Sequence, residues 1–114
     1  MPIITRTFDK VASITISGRF DFQVHREFKG AYAPLIGNAE VQEIEIEMNN
    51  VDYLDSSALG MLMLLNERAK NDHKSVILLL GRGSVVAHVL EVANFNKIFQ
   101  IKHVRSASES STER

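Results

Sequence analysis

The sequence predicts a mixed α/β fold: a sheet of about five strands with three to four helices, in the order β-β-α-β-α-β-α-β. Three observations lead there. Residues 11–17 and 43–48 alternate apolar and polar side chains with period two, the mark of strands with one buried face. Three other segments, opening near Asp21, Ser56 and Ser84, carry apolar residues at helical spacing. The two kinds of segment alternate along the chain, which argues for helices packed on a sheet.

The first strand is expected over residues 3–8, and Asp9-Lys10 is a turn. In the second, Ala12, Ile14 and Ile16 form the buried side, and Gly18 ends it. Asp21 stands where a helix N-cap belongs. Val24, Phe28, Ala31, Tyr32, Leu35 and Ile36 then recur on one helical face, and Gly37-Asn38 closes the helix. In the third strand Glu43, Glu45 and Glu47 point one way and Ile44, Ile46 and Met48 the other, until Asn49-Asn50 breaks it. A second helix runs from about Ser56 to Asn71. Residues 74–80 hold the continuous run Val76-Ile77-Leu78-Leu79-Leu80, the pattern of a central strand covered on both faces. After a Gly81-Arg82-Gly83 turn, Ser84 caps a third helix with Val85, Val86, Val89, Leu90 and Ala93 on its apolar side. Phe95, Ile98, Phe99 and Ile101 suggest a short closing strand. The domain is expected to span residues 1–104, with 105–114 a mobile, Ser-rich tail.

Bulk properties narrow the function. The chain has 114 residues, enough for one modest core, and 45% of them are hydrophobic. Thirteen basic and 14 acidic residues leave a net charge of -1, so no field steers it to nucleic acid or anionic lipid. Without cysteine there are no disulfides, thiolate metal sites or cysteine nucleophile. The N-terminus lacks the apolar core of a signal peptide, and the longest apolar run, residues 58–65, is far short of the roughly 20 residues a membrane span needs. A cytoplasmic protein is expected. His25, His73, His88 and His103 show no metal-ligand spacing, no Gly-x-Ser-x-Gly elbow is present, and Gly81-Arg82-Gly83-Ser84 lacks the lysine of a P-loop. No feature of an enzyme, and no cofactor or metal site, emerges.

The informative segment begins at Asp55-Ser56-Ser57, the entrance of the second helix, where free N–H groups and the positive dipole end lie. Taken alone, these three residues do no more than start a helix. At 100° per residue, Ala58, Leu62, Leu65 and Ala69 fall together towards the sheet. Ser56, Gly60, Met63 and Glu67 fall nearly opposite, with Leu64 beside them. An outward stripe holding a methionine, a leucine and a glycine next to two hydroxyls reads as a docking face. Burial of the helix on both sides is the alternative.

Asp55-Ser56-Ser57-Ala58-Leu59-Gly60 resembles the Asp-Ser-Ser/Thr-Gly-Leu-Gly signature of STAS-domain anti-sigma-factor antagonists. Gly18-Arg19-Phe20-Asp21 is similar to that family's Gly-Glu-Leu-Asp segment, and Gly83-Ser84-Val85-Val86 through Leu90 and Phe95 to its third-helix region. The resemblance covers residues 3–103 in the right order and implies the STAS fold. It implies a non-enzymatic bacterial partner switch that binds an anti-sigma factor, often also a serine kinase, and so releases a sigma factor. Ser56 matches the phosphoacceptor, modified by the kinase with its own ATP and magnesium and restored by a PP2C-type phosphatase. Asp21, Asp55, Ser57, Ala58, Gly60, Met63, Leu64 and Glu67 are the expected partner-binding residues. Ala58 departs from the family's glycine and adds a methyl beside the serine, which bears on partner choice. The alternative is a STAS regulator of another client, such as a subunit of a lipid-transport ABC system or another signalling protein. A monomer or weak homodimer is expected.

Overall fold

The structure, a computed structural model, describes residues 3–104. The strands are β1 (Ile3–Phe8), β2 (Val11–Phe20), β3 (Glu43–Leu54), β4 (Ser75–Gly81) and β5 (Gln100–Val104). The helices are α1 (His25–Ile36), α2 (Ser56–Asn71) and α3 (Val85–Val92), and short 3-10 turns cover Phe22–Val24 and Phe95–Lys97. The expected order therefore stands. The sheet runs β1-β2-β3-β4-β5, β1 antiparallel to β2 and every other pair parallel.

That topology decides where the core lies. Each parallel step crosses through one helix to the next strand in the same direction. Right-handed crossovers then place α1, α2 and α3 on the same face of the sheet. Ala12, Ile14 and Ile16 of β2, Ile44 and Ile46 of β3, and Leu78 and Leu80 of β4 are buried beneath them, with Phe28, Tyr32, Leu62, Leu65 and Leu90 from the helices. Phe28 meets Phe20 at 5.1 Å between ring centroids and Tyr32 edge-on at 5.3 Å, geometries that favour aromatic pairs beyond their burial.

Several expectations are corrected. Gly18 does not end β2: with φ +78 it sits between register shifts, and the strand continues to Phe20 as a bulged ribbon. Asn49-Asn50 does not break β3 either. Pairing steps from Thr15↔Glu47 to Ser17↔Asn50, so one extra residue is absorbed in β3, and the Asn49 N–H donates to Glu47 Oε2 at 3.0 Å. Both strands thus reach the same end of the sheet. The fourth strand starts one residue later than expected. Lys74 instead turns inward, donating to the Asn38 carbonyl at 2.9 Å and pairing with Asp72 at 2.8 Å. β4 is paired on both sides, and although the described helices lie over the face of Val76, Leu78 and Leu80, Ile77 on the other face is only 4% exposed and Leu79 is half-buried. In α3 the Ser84 cap, accepting from the Ala87 N–H at 3.0 Å, sets a phase that buries Val86, Ala87 and Leu90 and leaves Val85 exposed. Phe95 opens a 3-10 turn and Phe99 follows it ahead of β5, neither of them in a strand, their rings stacked with centroids 5.5 Å apart. The tail expectation lies outside the described residues.

Burial pushes the Tyr32 phenol above its ordinary value of 10.0, with the Arg68 charge pulling the other way. The neutral phenol is therefore favoured in the folded state. Its contribution is fully present below the unfolded pKa and is lost as pH rises through the raised folded one. Denaturant titrations from pH 8 to 11 are expected to show stability falling above about pH 10, with a shallower fall for Tyr32→Phe.

Candidate functional site

The paired C-terminal ends of β2 and β3 build the site. Arg19 lies opposite Tyr53 and Phe20 opposite Leu54, so Asp21 and Asp55 leave the sheet side by side. In open α/β sheets this carboxyl edge is where ligands and partners gather. Each aspartate caps the helical segment that begins next to it. Asp21 Oδ1 accepts from the Gln23 N–H at 3.0 Å, opening the turn before α1. Asp55 Oδ1 accepts from the Ala58 N–H at 3.0 Å, opening α2.

The cap fixes which way each residue of α2 points. Ala58, Leu62, Leu65 and Ala69 are fully buried, as expected, joined by Met61. Ser56 is exposed, Ser57 half-buried, and Gly60 and Glu67 exposed. Met63 and Leu64 are 49% and 39% exposed, so the helix is not buried on both sides. The expected outward stripe is thus brought together, with one correction. Ala58, expected among the partner-binding residues, is fully buried on the inward face, so its extra methyl fills the core.

The structure adds residues that the sequence pattern does not single out. Gly60, Met63, Leu64, Asn66, Glu67, Lys70 and Ile98 line one shallow groove of about 460 Å³. Ile98, expected in a strand, stands 42% exposed across from α2 and becomes the groove's far wall. Arg19 donates through Nε to Asp21 Oδ2 at 3.2 Å, and its guanidinium lies 4.0 Å over the Tyr53 ring. Phe22 is 71% exposed beside the Asp21 cap. Only contact between β2 and β3 joins Arg19 to Tyr53, 34 positions apart, which local sequence patterns do not signal.

The chemistry available is that of recognition. An exposed hydroxyl sits at a helix N-terminus, where the dipole favours negative charge. An apolar groove continues along the helix. Among the described residues no group of three His, Asp or Glu is arranged to hold a metal ion, and no helix is long and apolar enough to cross a membrane.

The family described as Mlab, STAS domain, matches residues 5–102. A STAS-domain containing protein of Pseudomonas aeruginosa strain UCBPP-PA14 is 37% identical over 89 residues, 78% of this chain and 85% of the relative. In structure the chain is similar to an anti-sigma factor antagonist from Mycobacterium paratuberculosis, with TM-score 0.76 and 14% identity, covering 96% of this chain and 90% of that one. It is also similar to the Bacillus cell fate determinant SpoIIAA in its phosphorylated form, with TM-score 0.71 and 14% identity, covering 98% and 99%. At these identities the structural likeness establishes the fold.

Two substitutions separate the helix's framework from its face. Asp55→Ala removes the cap and is expected to cost about 1 kcal/mol. A Cβ added at Gly60 meets nothing within 4 Å. Gly60→Ala is therefore expected to stabilise the protein by up to about 1 kcal/mol. Thermal denaturation of both variants checks the opposite signs.

Proposed function

This chain belongs to the STAS domain family, and from that membership we propose that it is an anti-sigma factor antagonist switched by phosphorylation of Ser56. The observation that carries the reading is an exposed serine in the first turn of α2, continuous with the stripe of Gly60, Met63, Leu64 and Glu67. In the unmodified state this stripe docks an anti-sigma factor that is also a serine kinase, and the sigma factor is set free. Met63, Leu64 and Ile98 supply apolar contact, and Gly60 lets the partner approach the helix backbone closely. Asp21, Asp55 and Ser57 border the serine. The protein acts as a cytoplasmic binding module and holds no cofactor of its own.

The kinase transfers the γ-phosphoryl group of its magnesium-bound ATP to Ser56 Oγ. An O–P bond forms, the bond to the ADP oxygen breaks, and the hydroxyl proton passes to a base of the kinase. A PP2C-type phosphatase returns the hydroxyl by hydrolysis, releasing inorganic phosphate. Phosphate adds about -1.5 to -2 charge at pH 7. Within this chain the α2 N-terminus accommodates it, worth roughly 0.3–1 kcal/mol at an exposed position. At the docked surface the same charge lies beside Asp55 and must be desolvated against a partner fitted to a neutral hydroxyl. A tenfold loss of affinity needs only about 1.4 kcal/mol. The fold thus tolerates the mark while the complex does not.

The matched family's description, Mlab, STAS domain, names no anti-sigma factor, which leaves a second reading, a STAS regulator of another client such as a lipid-transport ABC system. The intact Asp55-Ser56-Ser57 favours the first. Partner affinities of wild type, Ser56→Ala and Ser56→Asp test it. An anti-sigma kinase is expected to bind wild type and Ser56→Ala alike and Ser56→Asp at least tenfold more weakly. Equal affinities would remove phosphorylation as the switch, and a membrane-transport ATPase as the co-purifying partner would support the second reading.

A further inference from the structure

Opposite the helices lies a sheet face with no described element over it. Strand pairing lays it out in three columns. The middle one, on β3, is Glu43, Glu45 and Glu47. On one flank β2 gives Val11, Ser13 and Thr15, and on the other β4 gives Ser75, Ile77 and Leu79. Ile77 is only 4% exposed yet lies outside the helix-covered core cluster, and Leu79 is half-buried. At the β1 side Phe8, 86% exposed, forms a hollow of about 540 Å³ with Arg6, Asp9, Val11, Ser13 and Glu45. Parallel sheets are as a rule covered on both faces. Here four parallel-paired strands carry helices on one side only.

Charge says what fits. The ion pairs of the described residues are Arg19–Asp21 and Lys74–Asp72, and neither involves the glutamate column. Of the face's own cations, Arg6 lines the same hollow as Glu45 and Lys102 stands two strands from Glu47, about 9–10 Å away, so the three glutamates outnumber the cations beside them. Glu47 accepts the Asn49 N–H, which leaves its negative charge in place. A second copy stacked on this face sets glutamates near glutamates, and a nucleic acid or anionic lipid surface meets the same repulsion. A cationic segment with apolar flanks is complementary. Helices cover parallel sheets, and a helix supplies the right spacing. Basic residues at i, i+4 and i+8 rise about 6 Å per step, against roughly 6.6 Å between alternate residues of a strand.

We propose that this sheet face seats a basic amphipathic helix of a partner protein, its cations on Glu43, Glu45 and Glu47 and its apolar side chains over Leu79 and Phe8. The interface is separate from the α2 groove and does not rest on the reading of Ser56. The test uses the whole protein and fluorescent helical peptides with leucines flanking lysine, glutamine or glutamate at i, i+4 and i+8. Fluorescence anisotropy at two salt concentrations, with amide chemical-shift mapping, is the readout. The lysine peptide is expected to bind with shifts on β1, β3 and β4. Binding should weaken at least tenfold with Glu45→Gln/Glu47→Gln or with the glutamate peptide, weaken at high salt, and persist in Met63→Ala. Salt and peptide charge decide the matter should the double variant fail to fold. The proposal is overturned by no binding of the lysine peptide, by binding indifferent to peptide charge, by shifts confined to α2, or by self-association through this face in sedimentation.

Discussion

The Asp55 carboxylate, holding the Ala58 amide at 3.0 Å, sets the phase of α2 and with it the division of the whole helix into an inside and an outside. Because the helix starts there, Ala58, Leu62, Leu65 and Ala69 arrive over the β3–β4 floor, and Ser56, Gly60, Met63 and Glu67 arrive in solvent. A start one residue later would turn every side chain by about 100° and bring Leu59, Met63, Asn66 and Lys70 to the places of Ala58, Leu62, Leu65 and Ala69. The same aspartate is held in position by the bulged ends of β2 and β3, which bring Asp21 and Asp55 out at neighbouring points. Cap, stripe and groove are therefore consequences of where two strands end.

On the proposed function, this arrangement separates the residues that keep the protein folded from those offered to a partner. The inward face of α2 lies against β3 and β4 within one buried cluster, and Ser56 is outside that cluster. Charge added at that hydroxyl acts on an exposed helix end, where the domain's own energetics are nearly indifferent and a desolvated interface is not. The glycine at position 60 fits this picture. It weakens the helix and a Cβ there would meet nothing within 4 Å, consistent with the proposed close approach of a partner.

Much of this is legible in the sequence, and the failures have physical causes. The α2 boundaries and both of its faces come from 3.6-residue periodicity over 16 residues, long enough for the pattern to dominate. Asp21, Asp55 and Ser84 announce themselves as caps because capping is a local interaction. Gly18 and Asn49-Asn50 mislead because a strand paired on both sides absorbs an irregular residue as a bulge, and that choice depends on the neighbouring strand. The apolar run of β4 gives the burial of both faces, of Ile77 as well as Leu78, but not which element lies over each. Ile98, Arg19 and Tyr53 reach the site through tertiary pairing that no local pattern records.

The central claim, that an anti-sigma factor covers the outward stripe of α2, is tested most directly by NMR cross-saturation from an unlabelled partner to labelled protein. The account predicts saturation concentrated on the Met63 and Leu64 methyls, Ile98 and the amides around Ser56, vanishing when Ser56 is phosphorylated while the remaining spectrum keeps its dispersion. Saturation confined to the groove between α3 and β5, or undiminished by the phosphate, would contradict it.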